Sequence, residues 1–376
     1  MRITPSDEQE EFRSVLRRFL EEHSPTTEVR RLMETEAGYD REIWRKLSEE
    51  LGLPGLHLPE KYGGQGFGYV ELCIVMEEAG RALLCAPFLS SAVLAANAIL
   101  EAASESQKAR LLPAIASGKT LSTLAFTEAD GLWSTSSVAT TAKPEGDAFR
   151  LDGEKHYVVD GHIAELIVVV AREPDSTGED GISLFVVDGR DEDVVCETLT
   201  TADSTRKLSR LRLSGVRAER LGEAGTGESA LKRTLDLAAI ALASESVGAA
   251  QKVLEDSVAY AKTRVQFGRP IGSFQAIKHK CADMLLEVEL ARSAASYAAA
   301  AVAEDSEEVP ALASLAKAFC SDVFFRAARD SIQIHGGIGF TWEQDMHLYF
   351  KRAKSSEVFL GDPTYHRELL AQRLAI

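Results

Sequence analysis

The sequence has few cysteines, and none of them lies in a metal-binding pattern. Five cysteines stand among 376 residues, scattered without Cys-x-x-Cys spacing. Their odd number and their spread are typical of a protein from a reducing compartment, so we expect a cytoplasmic location. The eight histidines are equally dispersed, with no His-x-x-x-His pair beside a carboxylate. We therefore expect no metal site.

Basic residues and long apolar runs are also in short supply. The chain carries 42 basic against 58 acidic residues, a net charge of −16. This balance argues against nucleic acid or an anionic membrane surface as the main partner. The first ten residues lack the apolar core of a signal peptide, and we expect no run that spans a bilayer and no membrane insertion.

Hydrophobic periodicity divides the chain into three regions. Residues 1–122 show helical spacing, with a helix start at Pro5-Ser-Asp-Glu-Gln-Glu. In residues 123–228, short β-rich runs follow one another between Gly, Asp or Ser turns. Residues 229–376 return to helical spacing. We predict an α+β fold: an N-terminal helical domain, a middle antiparallel β-barrel or sandwich, and a C-terminal four-helix bundle.

Two separated motifs carry a resemblance to a known family. Residues 264–275, Arg-Val-Gln-Phe-Gly-Arg-Pro-Ile-Gly-Ser-Phe-Gln, end one long helical run and begin another. Residues 333–340, Gln-Ile-His-Gly-Gly-Ile-Gly-Phe, follow in family order. With the order of helices, strands and bundle, they make essentially the whole chain resemble the acyl-CoA dehydrogenase family. The resemblance implies FAD-dependent α,β-desaturation of an acyl-CoA thioester in lipid metabolism or fatty acid β-oxidation, with electrons passed to an electron-transfer flavoprotein.

The resemblance also implies a set of FAD-binding residues. Arg264 is expected to bind the pyrophosphate of FAD in a neighbouring subunit, since a guanidinium neutralises a diphosphate, and this implies an oligomer, either a dimer or a tetramer. In the alternative interpretation, Arg264 only pairs with its helix terminus and nearby acids. His335 is expected to pack in the turn rather than to catalyse. The other FAD-binding candidates are Thr127, Tyr157, Phe267, Gln275, Gln333, Gly336 and Gly337.

Two positions near the flavin and the CoA moiety depart from the family pattern. Val159 stands where the family places a threonine hydroxyl close to the reactive flavin nitrogen, so that hydrogen bond would have to come from the backbone. Asp236 matches an acidic residue that the family uses near CoA, which makes it a substrate-binding candidate. The arginine expected three residues later is Ala239, so the resemblance implies an altered or shared CoA site.

Both positions where the family places its catalytic glutamate lack an acid. They are occupied by Leu360, in Phe-Leu-Gly, and by Ala238 on the preceding helix. Glu245 is the single charge between residues 237 and 251, two turns after Ala238 on the same face. A lone carboxylate on a buried helix can act as a general base. Alternatively, Glu245 pairs with a core arginine or lines the acyl pocket. Asp362 is expected to cap the last helix.

These absences leave three functional hypotheses open. In the first, a homo-oligomer desaturates acyl-CoA with a relocated base such as Glu245. In the second, the chain is a non-catalytic partner that completes FAD sites in a hetero-oligomer, and a related subunit supplies the glutamate. In the third, the same scaffold carries different flavin chemistry, such as oxygen-dependent oxidation.

Overall fold

The computed structural model describes residues 4–174, 176 and 181–376. It confirms the predicted fold class, with a helical N-terminal part, a β-sheet middle part and a helical C-terminal part. The α-helices of the described residues are α1 (Asp7–His23), α2 (Thr26–Met33), α3 (Arg41–Glu49), α4 (Tyr69–Ala82), α5 (Ala96–Ala102), α6 (Glu105–Ala116), α7 (Gly227–Thr263), α8 (Gln275–Ala303), α9 (Val309–His335), α10 (Met346–Val358) and α11 (Pro363–Arg373).

All but two of the strands in the described residues lie in the middle of the chain. They are β1 (Ser122–Ala125), β2 (Thr141–Glu145), β3 (Ala148–Val159), β4 (Leu166–Arg172), β5 (Ile182–Asp188), β6 (Val194–Leu199), β7 (Leu208–Arg220), β8 (Val265–Gln266) and β9 (Arg269–Pro270). A π-helical segment, Leu89–Ala95, precedes α5 and is buried throughout.

Contacts divide the chain into two compact units. Unit 1 comprises Met1–Arg31, Tyr69–Leu84 and Ala239–Ile376, and unit 2 comprises Leu32–Gly68 and Cys85–Ala238. The division into domains 1–122, 123–228 and 229–376 stays a prediction. Helix α1 begins where the sequence predicted, because Ser6 and Gln9 form a capping box at its first turn.

The sheet of unit 2 closes on itself. Its strands pair in the order β4-β2-β3-β7-β5, and β5 pairs again with β4. The interior is filled by alternate side chains of these strands, among them Leu151, Phe185 and Leu211. The pairing differs from the expected all-antiparallel one, since β4 runs parallel to β1 and, at one residue pair, to β2. A crossover of this kind is possible because the β2–β3 hairpin separates β1 from β4 in the chain.

Helix α7 is long and apolar enough, by length and composition, to cross a bilayer, which differs from the expectation for the sequence. In this protein the most apolar 18-residue stretch of α7 is 89% buried inside the fold. That is the burial of a core helix.

In unit 1, α4 and α7 cross at two glycines. A Cβ on Gly248 of α7 would lie 1.7 Å from the carbonyl oxygen of Glu77 in α4, and one on Gly80 of α4 would lie 2.0 Å from the carbonyl oxygen of Glu245. The two backbones therefore touch where a side chain cannot fit.

We expect Gly248→Ala to lower the free energy of unfolding by about 1–3 kcal/mol, because the helices must separate and this cost exceeds the gain in helix propensity. Denaturant titration measures the change. Lys262→Ala, at an exposed position near the end of the same helix, is the control. An equal or more stable Gly248→Ala protein would show that the crossing relaxes freely.

Candidate functional site

The first family motif forms a tight hairpin after α7. Strands β8 and β9 pair across a two-residue turn, Phe267-Gly268, in which both residues have positive φ angles of 51° and 75°. These angles suit a two-residue hairpin with the twist of its strands. The amide of Ile271 donates to the carbonyl of Arg264 at 2.8 Å and ties the end of the hairpin to the end of α7.

The side chains of this hairpin face outward. Phe267 is 91% exposed, and Arg264 and Gln275 are exposed as well. The guanidinium of Arg269 lies 4.1 Å above the ring of Phe274, which holds the hairpin against the start of α8. An exposed aromatic ring beside a guanidinium is suited to bind a flat anionic ligand or another chain.

The second motif lies at the same end of unit 1. The ring of Tyr260, near the end of α7, stacks on His335, at the end of α9, with centroids 4.3 Å apart. His335 is buried and its Nδ1 donates to the carbonyl of Ser331 at 2.8 Å, so it packs as expected. Burial lowers its pKa. The structure thus brings Gln333 and its neighbours to the end of the bundle that carries Arg264.

The glycines of the second motif leave open space. Gly336 has a φ of 66°, and a Cβ on Gly336 or Gly337 would meet no atom within 4 Å. Both glycines and Gln333 are exposed. Guanidinium, carboxamide and unobstructed glycine backbone form a donor set that fits a dinucleotide diphosphate.

The unit 2 candidates meet at a bulge in β3. Lys155 pairs with Leu211 and Val158 with Ser209, so two residues of β3 oppose a single residue of β7. Tyr157 is in the bulge with a φ of 57°, and its side chain is 41% exposed. A bulge of this kind turns a side chain away from the strand alternation. The amide of His156 donates to the carbonyl of Thr127 at 2.8 Å, which places Thr127 beside the bulge.

A buried ion pair that the sequence did not reveal supports this corner. The Nζ of Lys155 lies 2.7 Å from Oε1 of Glu128 and 3.1 Å from the carbonyl oxygen of Phe126. Burial lowers the pKa of Lys155 to about 8, although Glu128 opposes this shift. Burial alone would raise the pKa of Glu128, but Lys155 and the amide of Thr140 hold it below its ordinary value. The one sign of this ion pair in the sequence was a lysine at a buried position of the strand β3.

The backbone carbonyl of Val159 already has a hydrogen-bond partner. Val159 is buried, and its carbonyl accepts a hydrogen bond from the hydroxyl of Thr123 at 2.6 Å. The isopropyl side chain of Val159 cannot donate a hydrogen bond, so the expectation that a backbone group takes its place stays a prediction.

Glu245 forms the core ion pair of the alternative interpretation. Its Oε1 lies 3.1 Å from Nη1 of Arg352 on α10, and the two residues are 5% and 1% exposed. A guanidinium at this distance stabilises the carboxylate and neutralises it in the core. Arg352 lies 107 residues further along the chain, so sequence reasoning offered no way to name it. The catalytic role of Glu245 stays a prediction.

Leu360 lies in a loop of unusual backbone conformation. Its φ is 63°, a value that is rare for leucine, and it is buried. Asp362 follows, and its carboxylate accepts from the amide of Tyr365 at 2.8 Å. It caps α11, as the sequence predicted.

Asp236 and Ala238 lie on the part of α7 that belongs to unit 2, where both are buried. The structure leaves the substrate-binding role of Asp236 a prediction. In the part of the chain that the structure describes, no group of three or more His, Cys, Asp or Glu residues could hold a metal ion.

Comparisons with known proteins match the chain from end to end. Three family models match in order: the acyl-CoA dehydrogenase N-terminal domain at residues 6–119, the middle domain at 123–216 and the C-terminal domain at 225–375. Acyl-CoA dehydrogenase IpdE2 of Mycobacterium tuberculosis is 35% identical over 98% of this chain and 96% of its own length.

Two solved structures are similar to this chain along essentially its whole length. One is a variant of the Tcur3481-Tcur3483 steroid ACAD, 32% identical with a TM-score of 0.88, covering 98% of both chains. The other is the ChsE4-ChsE5 complex from Mycobacterium tuberculosis, 28% identical with a TM-score of 0.90, covering 100% of this chain and 99% of that one.

Proposed function

Because this chain belongs to the acyl-CoA dehydrogenase family, an FAD-dependent family of oxidoreductases, we propose that it acts as an FAD-binding subunit of a hetero-oligomer. The oligomer dehydrogenates the Cα–Cβ bond of an acyl-CoA thioester. A related polypeptide supplies the catalytic carboxylate. The proposal is supported chiefly by the ion pair of Glu245, the candidate for a relocated base, with Arg352 in the core.

When FAD is bound, it would accept the two electrons of the reaction. Arg264, Gln333, Gly336 and Gly337 would hold the diphosphate of the FAD of a neighbouring subunit, and Phe267 and Gln275 would contact the adenosine half of that FAD. Tyr157 would form an aromatic wall beside a flavin ring, and Thr127 would donate a hydroxyl hydrogen bond to that ring. These residues bind and orient, and none of them removes the α-proton of the substrate.

An oligomer is supported by the apolar surface of unit 1. Large apolar side chains are exposed at the end of the bundle that carries Arg264 and along α8. Contact with another subunit would shield them from water. They include Phe267, Leu285, Leu286, Leu290, Phe340 and Trp342. The similarity of this chain to a chain of the ChsE4-ChsE5 complex supports a mixed assembly of related chains.

The substrate we propose is an acyl-CoA with a bulky, steroid-like acyl group, and the electron acceptor is an electron-transfer flavoprotein. The support for the acyl group is the steroid ACAD that this chain resembles along 98% of its length. Free cysteines among the described residues support a reducing, cytoplasmic location.

A second candidate function keeps Glu245 as a relocated base in a homo-oligomer. It is favoured by the burial of Glu245 and by its place two turns after Ala238 on α7. In that case Arg352 must release the carboxylate when substrate binds.

Co-expression tests the proposed function. The chain is produced with a related subunit that carries the family's C-terminal glutamate, and the purified complex is mixed anaerobically with straight-chain, branched and steroid-derived acyl-CoAs. We expect a mixed oligomer whose flavin is bleached by substrate, and we expect a glutamine in place of the partner's glutamate to abolish bleaching. A mixed oligomer that bleaches equally well after that substitution would refute the proposal.

We expect Arg264→Met to weaken FAD binding by about 10–100-fold, because a charge-assisted hydrogen bond to the diphosphate is lost. Bound flavin per chain, measured by absorbance after dilution and gel filtration, reports the change. Lys262→Met, an exposed cation two residues earlier, is the matched control for net charge. If both variants retain flavin equally, Arg264 does not contact the cofactor.

A further inference from the structure

Lys317 on α9 is completely buried, which is rare for a lysine. Its Nζ donates to three oxygens: the hydroxyl of Ser321 at 3.1 Å, the carbonyl of Glu357 at 3.1 Å and the carbonyl of Gly361 at 3.0 Å. Two of them are main-chain carbonyls on either side of Leu360.

His366 on α11 holds a third carbonyl of the same segment. Its Nε2–H donates to the carbonyl of Leu360 at 2.9 Å. Burial lowers the pKa of His366 to about 4, and Lys317 adds to this shift, so the ring is neutral at ordinary pH. The end of α10 and the loop of residues 359–362 would otherwise contain buried carbonyls without partners.

The backbone between these contacts is held in a conformation that it would not adopt freely. Leu360 has a φ of 63° and Gly361 one of 101°. A Cβ on Gly361 would lie 2.3 Å from the ring of Tyr365. A left-handed leucine costs free energy that the surrounding contacts must offset.

We propose that Lys317 and His366 lock the 359–362 loop, so that Lys317 is the positioning residue for the side chain at position 360. The proposal rests on the proposed function in one respect, namely that position 360 is where the family places its base. The lock itself is a property of unit 1 and can be measured without substrate or cofactor.

The charged groups around Lys317 determine how the lock responds to pH. The titratable neighbours are Cys320 and Asp322 on α9, Glu357 on α10, Asp362 in the loop and His366 on α11. Burial lowers the pKa of Lys317 to about 7, and the three carboxylates oppose this shift.

Opening of the loop would hydrate Lys317 and restore the higher pKa of an exposed lysine, about 10.4. Between these two pKa values the open state binds more protons than the locked state, so the locked fraction rises with pH in this window. The ratio of locked to open loop rises at most about tenfold per pH unit, and below about pH 7 this ratio is constant. Acidification from alkaline pH therefore loosens the loop.

Hydrogen exchange of a peptide covering residues 355–366 tests the lock. In Lys317→Met we expect exchange in the loop to be about tenfold faster or more, because the carbonyls of Glu357 and Gly361 lose their donor. Lys354→Met is the matched control, since Lys354 on α10 is exposed and donates to the side chain of Glu357 and not to the carbonyls of the loop. Unchanged loop exchange in Lys317→Met overturns the proposal.

His366→Phe decides the matter if Lys317→Met does not fold, because it removes the donor to the carbonyl of Leu360 and leaves Lys317 in place. We expect faster exchange in the loop, and unchanged exchange overturns the lock.

A functional readout separates the lock from the proposed function. In a Leu360→Glu background, adding Lys317→Met should lower kcat about tenfold with KM unchanged, since the base is present but poorly held. If Leu360→Glu has no activity, position 360 is not where this scaffold places a base, the co-expression experiment still decides the proposed function, and hydrogen exchange still decides whether the lock exists.

Discussion

Leu360→Glu should convert the isolated chain into an acyl-CoA dehydrogenase with a rate about 10²–10⁴-fold above that of the native chain. The increase is the usual contribution of a positioned general base. Leu360 is buried in a loop whose backbone is already held, so a carboxylate introduced there inherits a defined direction. Anaerobic bleaching of the bound flavin by acyl-CoA measures the rate.

Leu360→Gln is the control, because it has the shape of glutamate without its basicity. It should stay as slow as the native chain while binding the same amount of flavin. If Leu360→Glu and Leu360→Gln react at the same rate, position 360 is not where this scaffold places a base.

Arg352→Met should lower the free energy of unfolding by about 3–5 kcal/mol. Removal of one partner from a buried ion pair leaves the other charge without compensation in the core. Glu245 and Arg352 are both almost fully buried, with an N–O distance of 3.1 Å. Denaturant unfolding of the flavin-free chain gives the difference directly.

The double variant Glu245→Met with Arg352→Met should recover most of that loss, since apolar groups of similar volume replace the pair. Recovery of stability would assign the pair to the packing of the core. A single Arg352→Met variant as stable as the native chain would show that Arg352 does not compensate Glu245, and would favour the relocated base.

Much of the fold followed from the sequence because the signals were local. The Ser6–Gln9 capping box marks the start of α1, and the β-rich run between turn residues predicts the strand β3. The two glycine-containing motifs predicted turns at the ends of α7 and α9, where the structure has them. Local hydrogen bonding and side-chain period determine such features.

The charged core was beyond sequence reasoning because its contacts are distant along the chain. Glu245 stood out as a single charge on an apolar helix, but its partner is on α10. Lys317 gave no signal either, since α9 is helical and charged residues on helices usually face solvent. The membrane-like apolar composition of α7 was likewise explained only by its burial.

Flavin bleaching of the isolated native chain tests the central claim most directly. The chain is purified alone, loaded with FAD, and mixed anaerobically with the panel of acyl-CoAs. The account predicts a yellow protein that binds acyl-CoA without appreciable bleaching until a glutamate-bearing subunit is added. Rapid bleaching of the isolated chain that Glu245→Gln abolishes would contradict it.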